Sequence, residues 1–186
     1  MSLLMTANQV RGLPVVTVRG GEDVAEVRDL IYDAEQGEIV GLTLNQRGFL
    51  AGRRREVLPF EAIHAIGQHA VMVLDESALV DPDDVPDEVG RPPAERDVLG
   101  DDVLTERGVS LGKVSDLVLT AGGTGAVVGY QITKAGGGTA FIPLPAQLSV
   151  SGVALVVPDL TEDFVRDDLV GLGAAVDEFR ARMGLG

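Results

Sequence analysis

The chain has 186 residues, a formal net charge of −14, 45% hydrophobic residues and no cysteine. Disulfides and thiolate metal sites are excluded, and so strong an acidity opposes binding to nucleic-acid phosphates and to anionic membrane surfaces. No apolar run approaches the roughly 18 residues of a membrane helix, and the first residues lack the features of a signal peptide, so a cytoplasmic location is expected.

The chain is rich in glycine and poor in aromatics, with 24 Gly, 5 Phe, 2 Tyr and no Trp. Its core must therefore come from Val, Leu, Ile and Ala, which suits short strands joined by tight turns. Leu13 to Val18 reads as a strand, broken by Gly20-Gly21. Val24 to Tyr32 alternates, with Val27, Asp29 and Ile31 on one side and Arg28, Leu30 and Tyr32 on the other. Glu38 to Leu44 completes a hairpin with it. Arg54 to Leu58 is the next strand, Phe60 to Ile66 a short helical turn, and Ala70 to Leu74 the last strand of this half. Asp81 to Pro93 is acidic, carries four prolines and reads as an extended linker. Beyond it the strands are Asp102 to Leu104, Lys113 to Leu119, Ala126 to Thr133, Thr139 to Ile142 and Val153 to Val157. The glycine-rich stretches Gly122–Gly125 and Gly136–Gly138 read as hairpin turns. From Asp167 to Met183 the period becomes helical: Leu169, Leu172, Val176, Phe179 and Met183 share one face. Asp167 or Asp168 is placed to cap this helix and Gly184 to end it.

The two halves match in order. Gly21 corresponds to Gly108, Val27-Arg28-Asp29-Leu30-Ile31 to Val114-Ser115-Asp116-Leu117-Val118, and Val40-Gly41 to Val128-Gly129. Leu58-Pro59 corresponds to Ile142-Pro143, and Ala70–Val73 to Ala154–Val157. A repeat of this length is a whole small domain rather than a solenoid unit. The expected division is a first domain over 8–80, a linker over 81–96, a second domain over 97–162 and a C-terminal helix over 163–186. The strand–turn pattern followed by Gly112-Lys113-Val114-Ser115-Asp116-Leu117-Val118, with Ala25 replacing the glycine in the first half, resembles the PRC-barrel family. The resemblance implies small, highly bent β-barrels. Short strands and tight turns favour closed or nearly closed barrels. With the helical period of the tail, the chain is expected to be mainly β, two tandem small β-barrels with a C-terminal α-helix. The resemblance also implies a docking module rather than an enzyme. Members of that family occur in the cytoplasmic part of the photosynthetic reaction-centre H subunit and as the C-terminal domain of the maturation factor of the small ribosomal subunit, and others are free-standing bacterial proteins.

Few residues offer chemistry. Asp29 and Asp116 are repeated acids in otherwise apolar strands. They are either equivalent ligand or acid–base groups, or acceptors for turn N–H groups. His64 and His69, with Glu61, fall short of the ligand set of a metal site. Arg53, Arg54 and Arg55 form the dense positive patch, a contact for an acidic partner or RNA, or a charged guard on a strand edge. The acidic run from Asp81 lacks the glycine of a calcium loop. Leu169, Leu172, Val176 and Phe179 either cover a barrel or meet a partner. The reading is a non-enzymatic interaction or scaffold protein with no cofactor and no metal, an unknown protein partner and a possible homodimer. The alternatives are a ribosome- or RNA-associated factor, and a small-molecule binder using a cleft between the copies.

Overall fold

A computed structural model describes residues 3–33, 36–48, 52–90, 98–121, 126–144, 149–150 and 154–184. Strand β1 (Leu4–Thr6) and the one-turn helix α1 (Ala7–Val10) lead into the first sheet. That sheet holds β2 (Pro14–Thr17), β3 (Asp23–Asp33), β4 (Glu38–Asn45), β5 (Arg53–Pro59), β6 (Ile63–Ile66) and β7 (Val71–Val73), in the order β5-β4-β3-β2-β7-β6. After a short helix α2 (Asp87–Gly90), the second sheet holds β8 (Asp102–Thr105), β9 (Ser110–Thr120), β10 (Val127–Thr133), β11 (Thr139–Pro143), β12 (Ser149–Val150) and β13 (Ala154–Val157). Its order, β11-β10-β9-β8-β13-β12, is the same permutation. In each sheet one neighbouring pair is parallel, β2 with β7 and β8 with β13. Helix α3 (Leu169–Arg182) follows, with Asp168 accepting a capping hydrogen bond from Gly171 N–H.

The duplication extends to the irregularities. Register shifts leave Val24, Arg28 and Val40 as extra residues in the first sheet. They leave Leu111, Ser115 and Val128 extra at the matching places in the second. A bulge adds one residue and so exchanges the faces of everything beyond it. This corrects the simple alternation read for Val24 to Tyr32. Val27 faces the main core, while after the Arg28 bulge Leu30 and Tyr32 face that core and Ile31 turns to the opposite side. Two further expectations change. Phe60–Ala62 forms a 3-10 turn, but Ile63–Ile66 is a strand rather than part of a helical turn. Among the described residues the end strands β5 and β6, and β11 and β12, do not pair with each other, so neither sheet closes.

The copies are not beads on a string. One core runs through both, including Val15, Val27, Leu42 and Leu58 from the first copy and Val103, Val114, Ile132 and Leu155 from the second. β1 crosses over to pair with the far end of β9, Leu4 opposite Thr120 and Thr6 opposite Val118. Glu38 and Ala126, which hold the same place in the two copies, form an antiparallel bridge with each other. Antiparallel pairing of equivalent residues places a local twofold axis between them.

The outer face of each sheet has a separate cover. In the second copy, Leu169, Leu172 and Val176 of α3, with Leu4, pack on Val118, Val128 and Phe141. In the first copy, the matching residues Ile31, Val40 and Val57 are covered by Val80, Val85 and Val89. The covers also attach alike. Val57 and Val80 exchange backbone hydrogen bonds of 2.9 and 3.0 Å, and Phe141 and Arg166 exchange bonds of 2.7 and 2.9 Å. Residues 80–90 are thus packed against the first sheet rather than extended, which corrects the 81–90 part of the linker expected over 81–96, while 91–96 lie outside the described residues; α2 is the counterpart of α3. Their prolines and acids suit this role: Asp81 caps a 3-10 turn that begins at Pro82.

Candidate functional site

The two repeated acids meet at the seam between the copies. Helix α1 is only four residues long, yet Ala7 and Val10 are fully buried there. A capping box holds its start: Thr6 N–H donates to Gln9 Oε1 at 2.9 Å, and Gln9 N–H donates to Thr6 Oγ1 at 3.4 Å. This wedge delivers Arg11 between the two repeated acids. Arg11 Nε donates to Asp29 Oδ1 at 2.8 Å, and its Nη1 lies 3.7 Å from Asp116 Oδ1. Each acid also accepts from the amide that follows it. Leu30 N–H reaches Asp29 Oδ1 at 2.8 Å, and Leu117 N–H reaches Asp116 Oδ1 at 2.9 Å. Asp116 takes a further bond from Asn8 N–H at 2.9 Å.

The two acids are equivalent by sequence and unequal by environment. The Asp116 side chain is 5% exposed and that of Asp29 53%. Both acids accept backbone N–H bonds, but from amides beside a bulge and, for Asp116, from Asn8 in α1, rather than from turn amides at a barrel end. Sequence reasoning paired these acids with each other and missed Arg11. Its matching position in the second copy is Leu99, since Gly12 and Gly100 both adopt positive φ and donate to Val27 and Val114. The available signal was a lone cation with no partner in the repeat. Chemically the group is a clamp: one guanidinium joins a carboxylate from each sheet to the N-terminal segment. It fills the space between the acids.

A second contact crosses the seam. The hydroxyls of Tyr32, near the end of β3, and Tyr130, in β10, lie 2.7 Å apart. Burial pushes the Tyr32 phenol up to about 12, with a further push from the Asp33 carboxylate. Tyr130 is raised further still, chiefly by burial and then by Tyr32 itself. Both therefore stay protonated across the physiological range. Removing the other hydroxyl would leave either one short of a partner in apolar surroundings.

The remaining candidates are dispersed. His64 lies exposed in β6 and His69 exposed in a turn, with Glu61 exposed on the 3-10 turn. Among the described residues no three His, Asp or Glu side chains form a metal-binding group. The basic patch is largely neutralised. Arg54 pairs with Glu56 and Glu76, and Arg55 with Asp81 and Asp83, the acids of the covering segment. Arg53 lines an open cavity of about 390 Å³ with Glu26, Asn45, Gln46 and Arg47. Gly136–Gly138 is a hairpin turn, with Gly137 and Gly138 at positive φ. The 122–125 loop lies outside the described residues. Leu172, Val176 and Phe179 are buried within the chain and Leu169 packs beside them, so that helical face is filled intramolecularly.

Comparison with protein families finds the PRC-barrel domain model matching residues 4–79 and again 94–164. No curated protein matches the chain. Among the described residues no helix is long and apolar enough to cross a membrane.

Proposed function

The chain belongs to the PRC-barrel domain family, and from that premise we propose that it is a non-enzymatic interaction module acting in the cytoplasm. One observation carries this reading. The residues best suited to chemistry by their repetition or burial are engaged in joining the copies. Asp29 and Asp116 are held on Arg11, and the two tyrosines on each other. What the fold offers outward is a firmly joined pair of open sheets with distinct outer surfaces. An RNA-associated role is less well supported, because Arg54 and Arg55 already have acidic partners. Affinity purification from the native cell, with mass spectrometry and a nuclease-treated control, tests the reading. A stoichiometric protein that survives nuclease treatment is expected. A partner lost on nuclease treatment, or none at stoichiometry, overturns it.

A further inference from the structure

The outer faces are not equally covered. Strands β3 to β5 lie under the α2 segment and β9 to β11 under α3, but the parallel pair β2–β7 and its neighbour β6 carry no such layer among the described residues. Side chains two apart on a strand share a face. Thus Val16 and Val18 on β2 and its extension line up with Met72 and Leu74 on β7 and its extension. Val16 is in register with Met72, and Val18 N–H bonds to Val73 O. Ala65 of β6, opposite Met72, widens the row. None of these five belongs to any of the apolar cores, and Val18 and Leu74 are 48% and 49% exposed.

The second copy serves as an internal control. Val18 corresponds to Glu106 and Leu74 to Pro158, because Glu106 N–H bonds to Val157 O as Val18 N–H does to Val73 O. The same scaffold therefore folds without an apolar pair at this place. The pair in the first copy is a surface property and not a folding requirement.

The rim selects the occupant. Arg19 pairs with Asp75, Arg47 with Asp23 and Glu26, and Arg54 with Glu56 and Glu76. These three arginines are thus taken, and the five acids they pair with outnumber them. A second copy of this chain, itself at −14, would meet that rim with like charge. Five side chains also offer only a few hundred Å², roughly, against about 800 Å² per partner in a stable dimer. Resting on the interaction-module reading, we infer that this face, Val16, Val18, Met72, Leu74 and Ala65, docks a short segment of another protein whose apolar side chains are flanked by Lys or Arg.

The test uses the full chain, a short synthetic amphipathic peptide of leucine and lysine, and its leucine–glutamate counterpart. Calorimetry gives affinity and backbone amide NMR gives location. The basic peptide is expected to bind, with shifts centred on residues 16–19 and 72–75, and the acidic one not. The decisive variant is V18E/L74E. It adds two negative charges, so simple charge attraction predicts tighter binding, whereas docking on the apolar row predicts a loss of about tenfold or more. V18T/L74T, which keeps strand propensity at the first position and adds no charge, should weaken binding in the same direction. The inference is overturned if the basic peptide does not bind, if its shifts map elsewhere, or if V18E/L74E binds as well or better. Light scattering that shows a dimer dissolved by V18E/L74E also overturns it, making a second copy the occupant. A stoichiometric partner in the purification above whose contacts lie off this face sinks the surface and leaves the module reading standing.

Discussion

At the residue scale, equivalence in sequence does not give equivalence in energy. Asp116 is nearly sealed and holds two amides and a cation, while Asp29 is open to water. Asp116→Ala orphans buried N–H groups and should lower stability by about 1–3 kcal/mol. Asp29→Ala loses mainly an exposed ion pair and should lower it by less than about 1 kcal/mol. Urea denaturation of the two variants measures the difference, and equal losses would contradict the environment described. The tyrosine pair allows a sharper test, because the chain has two tyrosines, no tryptophan, and both tyrosines are at the seam. Tyr32→Phe strands the fully buried hydroxyl of Tyr130 and should destabilise by about 1–3 kcal/mol. Tyr130→Phe strands the less buried hydroxyl of Tyr32 and should be milder. The double variant should lie near the wild type, since it removes both polar groups together. The pH dependence follows from the raised values. A phenol held near 12 when folded but near 10 when unfolded binds its proton more tightly in the native state. Its stabilising contribution is complete below about pH 10 and falls as pH rises toward 12, by roughly 1.4 kcal/mol per pH unit for each tyrosine. Tyrosinate absorbance should therefore appear together with unfolding, and a free titration near pH 10 in the folded protein would refute the buried pair.

At the scale of elements, the repeated Val-Gly step gains a reason. A Cβ on Gly41 would meet Val89 Cγ1 at 3.0 Å and Leu58 O at 3.1 Å. One on Gly129 would meet Leu172 Cδ2 at 3.2 Å and press directly on the Ile142 carbonyl. The glycine thus lets the cover helix and the neighbouring strand approach together in both copies. Gly129→Ala forces backbone to move and should cost about 2–3 kcal/mol, and Gly41→Ala, whose nearest neighbour is a side chain, about 1 kcal/mol. The covers themselves differ in depth. Leu172 is fully buried under a 14-residue helix, whereas Val89 belongs to a single turn. Leu172→Ala should cost about 2–5 kcal/mol and Val89→Ala less, as read by thermal unfolding. Phe164 and Phe179 add an edge-to-face contact with ring centroids 5.3 Å apart, which anchors α3 to the segment before it.

At the scale of the whole molecule, a core shared by both copies predicts one cooperative transition rather than two. Tyrosine fluorescence, which reports on the seam alone, should change at the same denaturant concentration as the far-ultraviolet circular dichroism of both sheets. A seam that opens first would show the copies to be separable bodies. The duplication, most strands, the ends of α3 and the glycine-containing turns were legible in the sequence, because local periodicity and turn chemistry are written in neighbouring residues. Four short pieces were not: β1, α1, β6 and β12 are two to four residues long, and unlike the equally short β2, β7, β8 and β13 they are not marked by an apolar run repeated in both halves. The sequence alone therefore determined that there are two copies of one β fold and which residues repeat. Only the tertiary structure decided that the copies share an interior, that bulges turn Val27 and Ile31 to opposite faces, and that an unrepeated arginine clamps the repeated acids. These outcomes depend on contacts between residues far apart in the chain, and pattern along a strand carries no record of what will pack against it.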